Sequence, residues 1–232
     1  TVRPVPFADF SVSSITRTGL AQALNGMQSG LRSIATSVHG VKRTPLYGLH
    51  KSWGATLVPF CGWEMPLKYE GSTDIESHMN CRKGTAVFDV GHMGQLRFTG
   101  KDRERFIESV TVADVEAMPF SSTKLSCLPT DEAGIIDDLM VTRHRDHIYM
   151  VVNAGCYEKD IAHLRQKVGE SGMDVHITDV GDEFGLVAFQ GPKAAEMLQP
   201  LVDYDLSKQA FMTQRFARVK GVPVRITRCG YT

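Results

Sequence analysis

The sharpest chemical feature of the sequence is a pair of adjacent carboxylates, Asp137 and Asp138, inside the apolar run Ile135-Ile136-Asp137-Asp138-Leu139-Met140-Val141. Such a run reads as a β-strand, whose successive side chains point to opposite faces, so one carboxylate must project from each. A charge there costs free energy unless it is hydrogen-bonded or solvated. If Arg143 to Asp146 form a four-residue loop, Thr142 pairs with His147, Asp138 lies opposite Val151, and Met140 lies opposite Tyr149. Asp138, Tyr149 and Asn153 then share a face, beside an apolar wall from Met140 and Val151. A carboxylate, a phenol and a carboxamide against apolar surface suit a flat polar heterocycle. The plainer alternative is that the two aspartates only end or bulge the strand.

Other reactive residue types are less organised. His92 follows the strand end Phe88-Asp89-Val90-Gly91 and could serve as a base or ligand, but it has no second histidine or carboxylate at metal-binding spacing. Cys61, Cys81, Cys127, Cys156 and Cys229 are scattered, with no Cys-x-x-Cys pair to close a zinc site. Gly191-Pro192 and Gly230-Tyr231-Thr232 are turn signals without a complete phosphate-binding fingerprint. No metal is expected.

The elements that must position these residues are legible in outline. Thr73-Asp74-Ile75-Glu76 is a capping box, which predicts a helix over Ser72 to Lys83, closed at Gly84. Phe106, Ile107, Val110 and Val115 place an apolar stripe along a helix over residues 103 to 116. Tyr157, Ile161, Leu164 and Val168 predict another, and Pro192 opens a further one through Leu198. Strands are expected at Thr85 to Val90, Gln95 to Thr99, Ile135 to Thr142, His147 to Asn153, Asp174 to Asp179, Phe184 to Gln190 and Val222 to Arg228. Helices interrupt the strands irregularly, never in βαβ alternation, so the expected class is α+β with antiparallel sheets flanked by helices.

Lys plus Arg equal Asp plus Glu at 26 each, so no net field favours nucleic acid or an anionic membrane. No run approaches the roughly 20 apolar residues that a membrane-crossing helix needs. Residues 1 to 41 stand apart: Asp9 is their only acid, Arg3, Arg17 and Arg32 punctuate a Ser/Thr-rich segment, and Leu20, Leu24, Met27, Leu31 and Ile34 line one helical face. This is a transit-peptide composition, one that a disordered leader would also show, with a folded domain expected over residues 42 to 232. The chain stops directly after a strand-like run and is expected to be truncated.

From Arg43 onward the order of motifs resembles the folate-binding portion of the glycine cleavage T-protein family. The motifs are Arg43-Thr44-Pro45-Leu46-Tyr47, Phe60-Cys61-Gly62-Trp63-Glu64-Met65-Pro66, Phe88-Asp89-Val90-Gly91-His92-Met93, the aspartate pair, Tyr149 through Cys156, Gln190-Gly191-Pro192 and Thr227 through Thr232. Gly91 stands where the family commonly has serine, and Gly134 where it has paired glycines. The resemblance implies a folate-binding core without the family's carboxyl-terminal barrel. It also implies transfer of a one-carbon unit from the aminomethyl-lipoyl arm of H protein to tetrahydrofolate as co-substrate, giving methylene-tetrahydrofolate and ammonia, in the mitochondrial matrix. On matching positions, Asp138 would be catalytic, and Met93, Tyr149, Val151 and Asn153 would contribute to the folate pocket; Asp137 would be structural. Competing readings are the folate-binding region of a dimethylglycine or sarcosine dehydrogenase, a noncatalytic folate-binding protein of iron-sulfur maintenance, or a module that docks H protein without turnover.

Overall fold

The structure, a computed structural model, describes residues 40–230. The expected leader, residues 1 to 41, lies outside them apart from its last two positions. In chain order the elements are α1 (Tyr47–Ser52), β1 (Ala55–Phe60), β2 (Trp63–Tyr69), α2 (Asp74–Lys83), β3 (Ala86–Asp89), β4 (Gly94–Thr99), α3 (Arg103–Val110), β5 (Thr123–Pro129), β6 (Ile135–Arg143), β7 (Ile148–Val152), α4 (Tyr157–Ser171), β8 (His176–Asp179), β9 (Val187–Gln190), α5 (Ala194–Leu198), β10 (Thr213–Val219) and β11 (Val222–Arg228).

A five-stranded sheet in the order β5-β6-β7-β4-β8 is the centre of the fold, and β1-β2, β3-β9 and β10-β11 form two-stranded sheets. Every one of these pairings is antiparallel, and no sheet closes into a barrel among the described residues. The α+β architecture expected from the sequence is therefore present.

Alternation decides which face of the large sheet is covered. Leu96 and Phe98 of β4, Ile148, Met150 and Val152 of β7, and Leu139 and Val141 of β6 point one way. They bury against Phe106, Ile107 and Val110 of α3 and Ile161 and Leu164 of α4. Full burial of one such side chain contributes about 1.5–3 kcal/mol, so this one-sided layer holds the sheet together. Gln95, Arg97, Tyr149, Val151, Asp138, Met140 and Thr142 point the other way, by the same period of two. A smaller core of Val87, Leu201 and Val219, with Phe189, Val224 and Ile226 packed on it, joins β3-β9 to the β10-β11 hairpin.

Local departures from expectation have local causes. The capping box at Thr73 is complete, with Glu76 N–H donating to Thr73 Oγ1 and Thr73 N–H to Glu76 Oε2, and it sets the start of α2 at Asp74. The helix expected over 103 to 116 ends at Val110: Thr111 is extended, and its hydroxyl donates to Ile107 O and accepts from Ala113 N–H. Two hairpins and one strand went unpredicted. β1-β2 turns at Cys61-Gly62 and β10-β11 at Lys220-Gly221, all four residues having positive φ, as a primed two-residue turn requires. β5, one of the sheet's two edge strands, pairs with β6 and was also missed.

Candidate active site

The β6-β7 register differs from the sequence expectation. Arg143 pairs with Ile148, Met140 with Val151 and Leu139 with Val152, and His144 N–H donates to His147 O, so the loop is the two residues Arg145 and Asp146. The whole pairing is displaced by two residues from the predicted one. An even displacement keeps every side chain on its face. Asp138, Tyr149 and Asn153 therefore still share one, but the partner of Asp138 across the strands is Asn153, one step beyond the last ladder pair, and not Val151.

That displacement makes the central contact of the site. Asn153 Nδ2 donates to Asp138 Oδ1 at 3.0 Å, to Asp138 O at 3.1 Å and to Asp137 Oδ1 at 3.0 Å. The Asp138 side chain is exposed, held by one amide and otherwise open to a ligand. Asp137, on the opposite face, is buried. It accepts Asn153 N–H at 3.1 Å as well as the side-chain amide. Burial pushes the Asp137 carboxyl up, but hydrogen bonds from Asn153, Asp160 and Cys156 outweigh burial and hold it below its ordinary value. The adjacent aspartates thus have distinct environments, one inward and saturated with donors, the other outward.

Along the same face, Tyr149 is buried at 7 % exposure and donates its hydroxyl to Gln95 Oε1 at 2.7 Å, while Gln95 Nε2 donates to Phe184 O at 2.8 Å. Burial pushes the Tyr149 phenol up to about 12, even with Arg225 nearby. The guanidinium of Arg225, from β11, lies 4.8 Å from the Tyr149 ring centroid and 5.0 Å from that of Phe184. Tyr149 therefore offers a ligand little more than a ring edge, and its hydroxyl is already committed. Gln95, Phe184 and Arg225 escaped the sequence reading because their roles depend on contacts between distant strands. Only the alternation of Arg225 with Val224 and Ile226 hinted at a side chain leaving the small core.

Met93 closes the turn into β4, its N–H donating to Val90 O at 3.0 Å. It is half-buried, in the bend just before β4. Val151 is half-buried between Met140 and Gln95. Four of the five singled-out residues, Asp138, Tyr149, Val151 and Asn153, thus share one sheet face, with Asp138 and Asn153 at one end and Tyr149 inward of them, and Met93 stands just before the strand β4 that adjoins β7. His92 lies apart: its ring packs edge-on to Phe60, and burial lowers its basicity despite Asp89. Among the described residues no group of three or more His, Cys, Asp or Glu could hold a metal ion. Gly91 N–H donates to Asp89 Oδ1, and a Cβ there would meet that oxygen at 3.0 Å, so a serine at this position would need a small local shift.

Comparison with known proteins supplies the family. Residues 46–232 match the family model described as the GCVT N-terminal domain. The mitochondrial aminomethyltransferase of Dictyostelium discoideum is 44% identical over 211 residues, covering 89% of this chain and 52% of the relative. The human mitochondrial aminomethyltransferase is 41% identical over 206 residues, covering 87% and 50%. The crystal structure of the glycine cleavage system aminomethyltransferase T from Bartonella henselae superposes with a TM-score of 0.72 at 31% identity, covering 83% of this chain and 51% of that one. The chain spans about half the length of the relatives it matches. With four fifths of its length matched by the family model, the chain belongs to the GCVT N-terminal domain family.

Proposed function

We propose that this chain carries the folate-handling part of an aminomethyltransferase of the glycine cleavage system, acting in the mitochondrial matrix. Tetrahydrofolate would be its co-substrate and lipoylated H protein its partner. The observation that carries this reading is the exposed Asp138 carboxylate, aimed by Asn153 at the end of a half-apolar sheet face. The names of the relatives supply the reaction class.

In that reaction the methylene carbon of the aminomethyl-lipoyl arm forms a bond to each of two folate nitrogens in turn. Its bond to the amine breaks to release ammonia, and its bond to sulfur breaks to free the reduced arm; the two protons lost by the folate nitrogens end on the ammonia and the thiol. Each attacking nitrogen gives up a proton, and the carbon passes through iminium-like positive charge. A positioned carboxylate serves both needs, as acceptor of the proton and as counter-charge. Asp138 has the required freedom because only one of its carboxylate oxygens is engaged by Asn153. Met93 and Val151 supply apolar surface for a flat ring. Asn153, bridging both aspartates, fixes the direction of the carboxylate.

The test is turnover of the full-length protein with lipoylated H protein and tetrahydrofolate, beside Asp138→Asn, which keeps shape and removes charge. The expected result is a loss in kcat on the order of 10²-fold or more, with tetrahydrofolate still bound. Unchanged turnover in the variant would remove Asp138 from the chemistry.

A further inference from the structure

Beneath the site lies a carboxyl group that the proposed reaction does not use. Asp160, in the first turn of α4, is fully buried, and neither of its oxygens receives a hydrogen bond from any N–H or O–H. A buried carboxylate left this way would carry a heavy desolvation penalty. Its hydrogen-bond neighbour is another carboxyl, that of Asp137. Two ionised carboxylates have no donor between them, so this contact exists only if one carries a proton.

The surroundings decide which one. Asp137 already accepts two N–H groups from Asn153 and contacts the Cys156 thiol at the N-terminus of α4, where a negative charge is favoured. Asp160 has no such donors; burial first, and then the Asp137 charge, push its carboxyl well above the usual carboxylate range, against the opposing pull of Lys159. Lys159 itself turns outward to donate to Ile136 O. The charged and titratable groups facing Asp160 are thus Asp137 from β6 and Lys159 from its own helix, with Cys156 beside them on Asp137.

We propose that Asp160 is a positioning residue of the site: as a neutral acid it donates a hydrogen bond to the Asp137 carboxylate, which holds Asn153, which in turn aims Asp138. This rests on the reading of Asp138 as the reacting carboxylate. The relay runs from α4 through the sheet to its open face, so the helix layer sets the geometry of a group it never touches. A neutral donor is all the role requires. The carboxamide of asparagine can fill it, and an aliphatic side chain cannot.

The experiment compares Asp160→Asn and Asp160→Val in the full-length protein, reading kcat, KM for tetrahydrofolate, thermal melting and the carboxyl ¹³C resonances of Asp137 and Asp160 against pH. Asp160→Asn is expected to keep kcat within about threefold, whereas Asp160→Val lowers it about tenfold or more with KM little changed, since aim is lost and binding surface is not. The Asp160 resonance is expected to be that of a protonated acid in mildly acidic solution, where Asp137 is ionised. An Asn variant as impaired as the Val variant, a Val variant as active as wild type, or an Asp160 ionised throughout would overturn the proposal. Should Asp160→Val fail to fold, the Asn variant and the resonances decide. Absence of turnover in the wild type would instead count against the proposed function, while the resonances would still report where the proton sits.

Discussion

Asn153 serves two masters: one amide nitrogen reaches both Asp137 and Asp138, and its backbone N–H also goes to Asp137. Asn153→Ala removes the side-chain donors and leaves the buried Asp137 carboxylate under-satisfied. Stability should fall by about 2 kcal/mol, measured by urea unfolding, because hydrogen bonds to buried charged groups contribute about that much. Turnover should fall with it, and a variant as stable as the parent would show that Asn153 is not what holds Asp137. At this scale the aspartate pair was legible from sequence, since charge inside an apolar strand is conspicuous. Asp160 was not singled out, although a signal existed: it lies three residues after Tyr157 and four before Leu164, on the very stripe that buries α4. A carboxylate on a buried stripe needs a partner, but which partner only the tertiary packing reveals.

The strands and helices were read well where periodicity was strong and poorly where it was not. α2 carried a capping box and its expected bounds nearly match those observed, and the apolar stripe from Tyr157 to Val168 falls inside α4. The register of β6 on β7 was missed by two residues because hydrophobic alternation fixes parity and leaves loop length free. The observed two-residue loop brings the His144 and His147 rings into a stack at 4.3 Å, a contact that alternation could not forecast. The primed turns at Cys61-Gly62 and Lys220-Gly221 lacked the Asn or Asp that usually announces them. A prediction follows from the first strand of the site. A Cβ on Gly94 would sit 2.5 Å from the Tyr157 ring and 2.6 Å from Val152 Cγ2. Gly94→Ala should therefore destabilise by about 1–3 kcal/mol through overpacking, as a lowered melting temperature, and Gly94→Ala with Tyr157→Leu should recover part of the loss.

Across the whole molecule, the β10-β11 hairpin meets the large sheet through Arg225 over Tyr149 and through the His144 ring, which lies 5.7 Å from that of Phe216. Burial, then His147 and Arg225, push His144 down to about 4. Its ordinary value is about 6.5, so the unfolded chain takes up this proton first on acidification. The stability it contributes is complete above about pH 6.5 and is lost as pH falls toward about 4, a swing on the order of 3 kcal/mol. His144→Gln should flatten that part of the acid-unfolding profile, and an unaltered profile would place the sensitivity elsewhere. The covering of the large sheet has a consequence for how such a molecule can change over generations. Its two helices lie on one side, so substitutions at the half-buried Met140 and Val151 on the other can retune what is held there while the helix-covered side keeps the fold. Asp137 is the exception, a single residue at which binding surface and hydrophobic interior share one hydrogen-bond network, and there heredity has the least room to experiment.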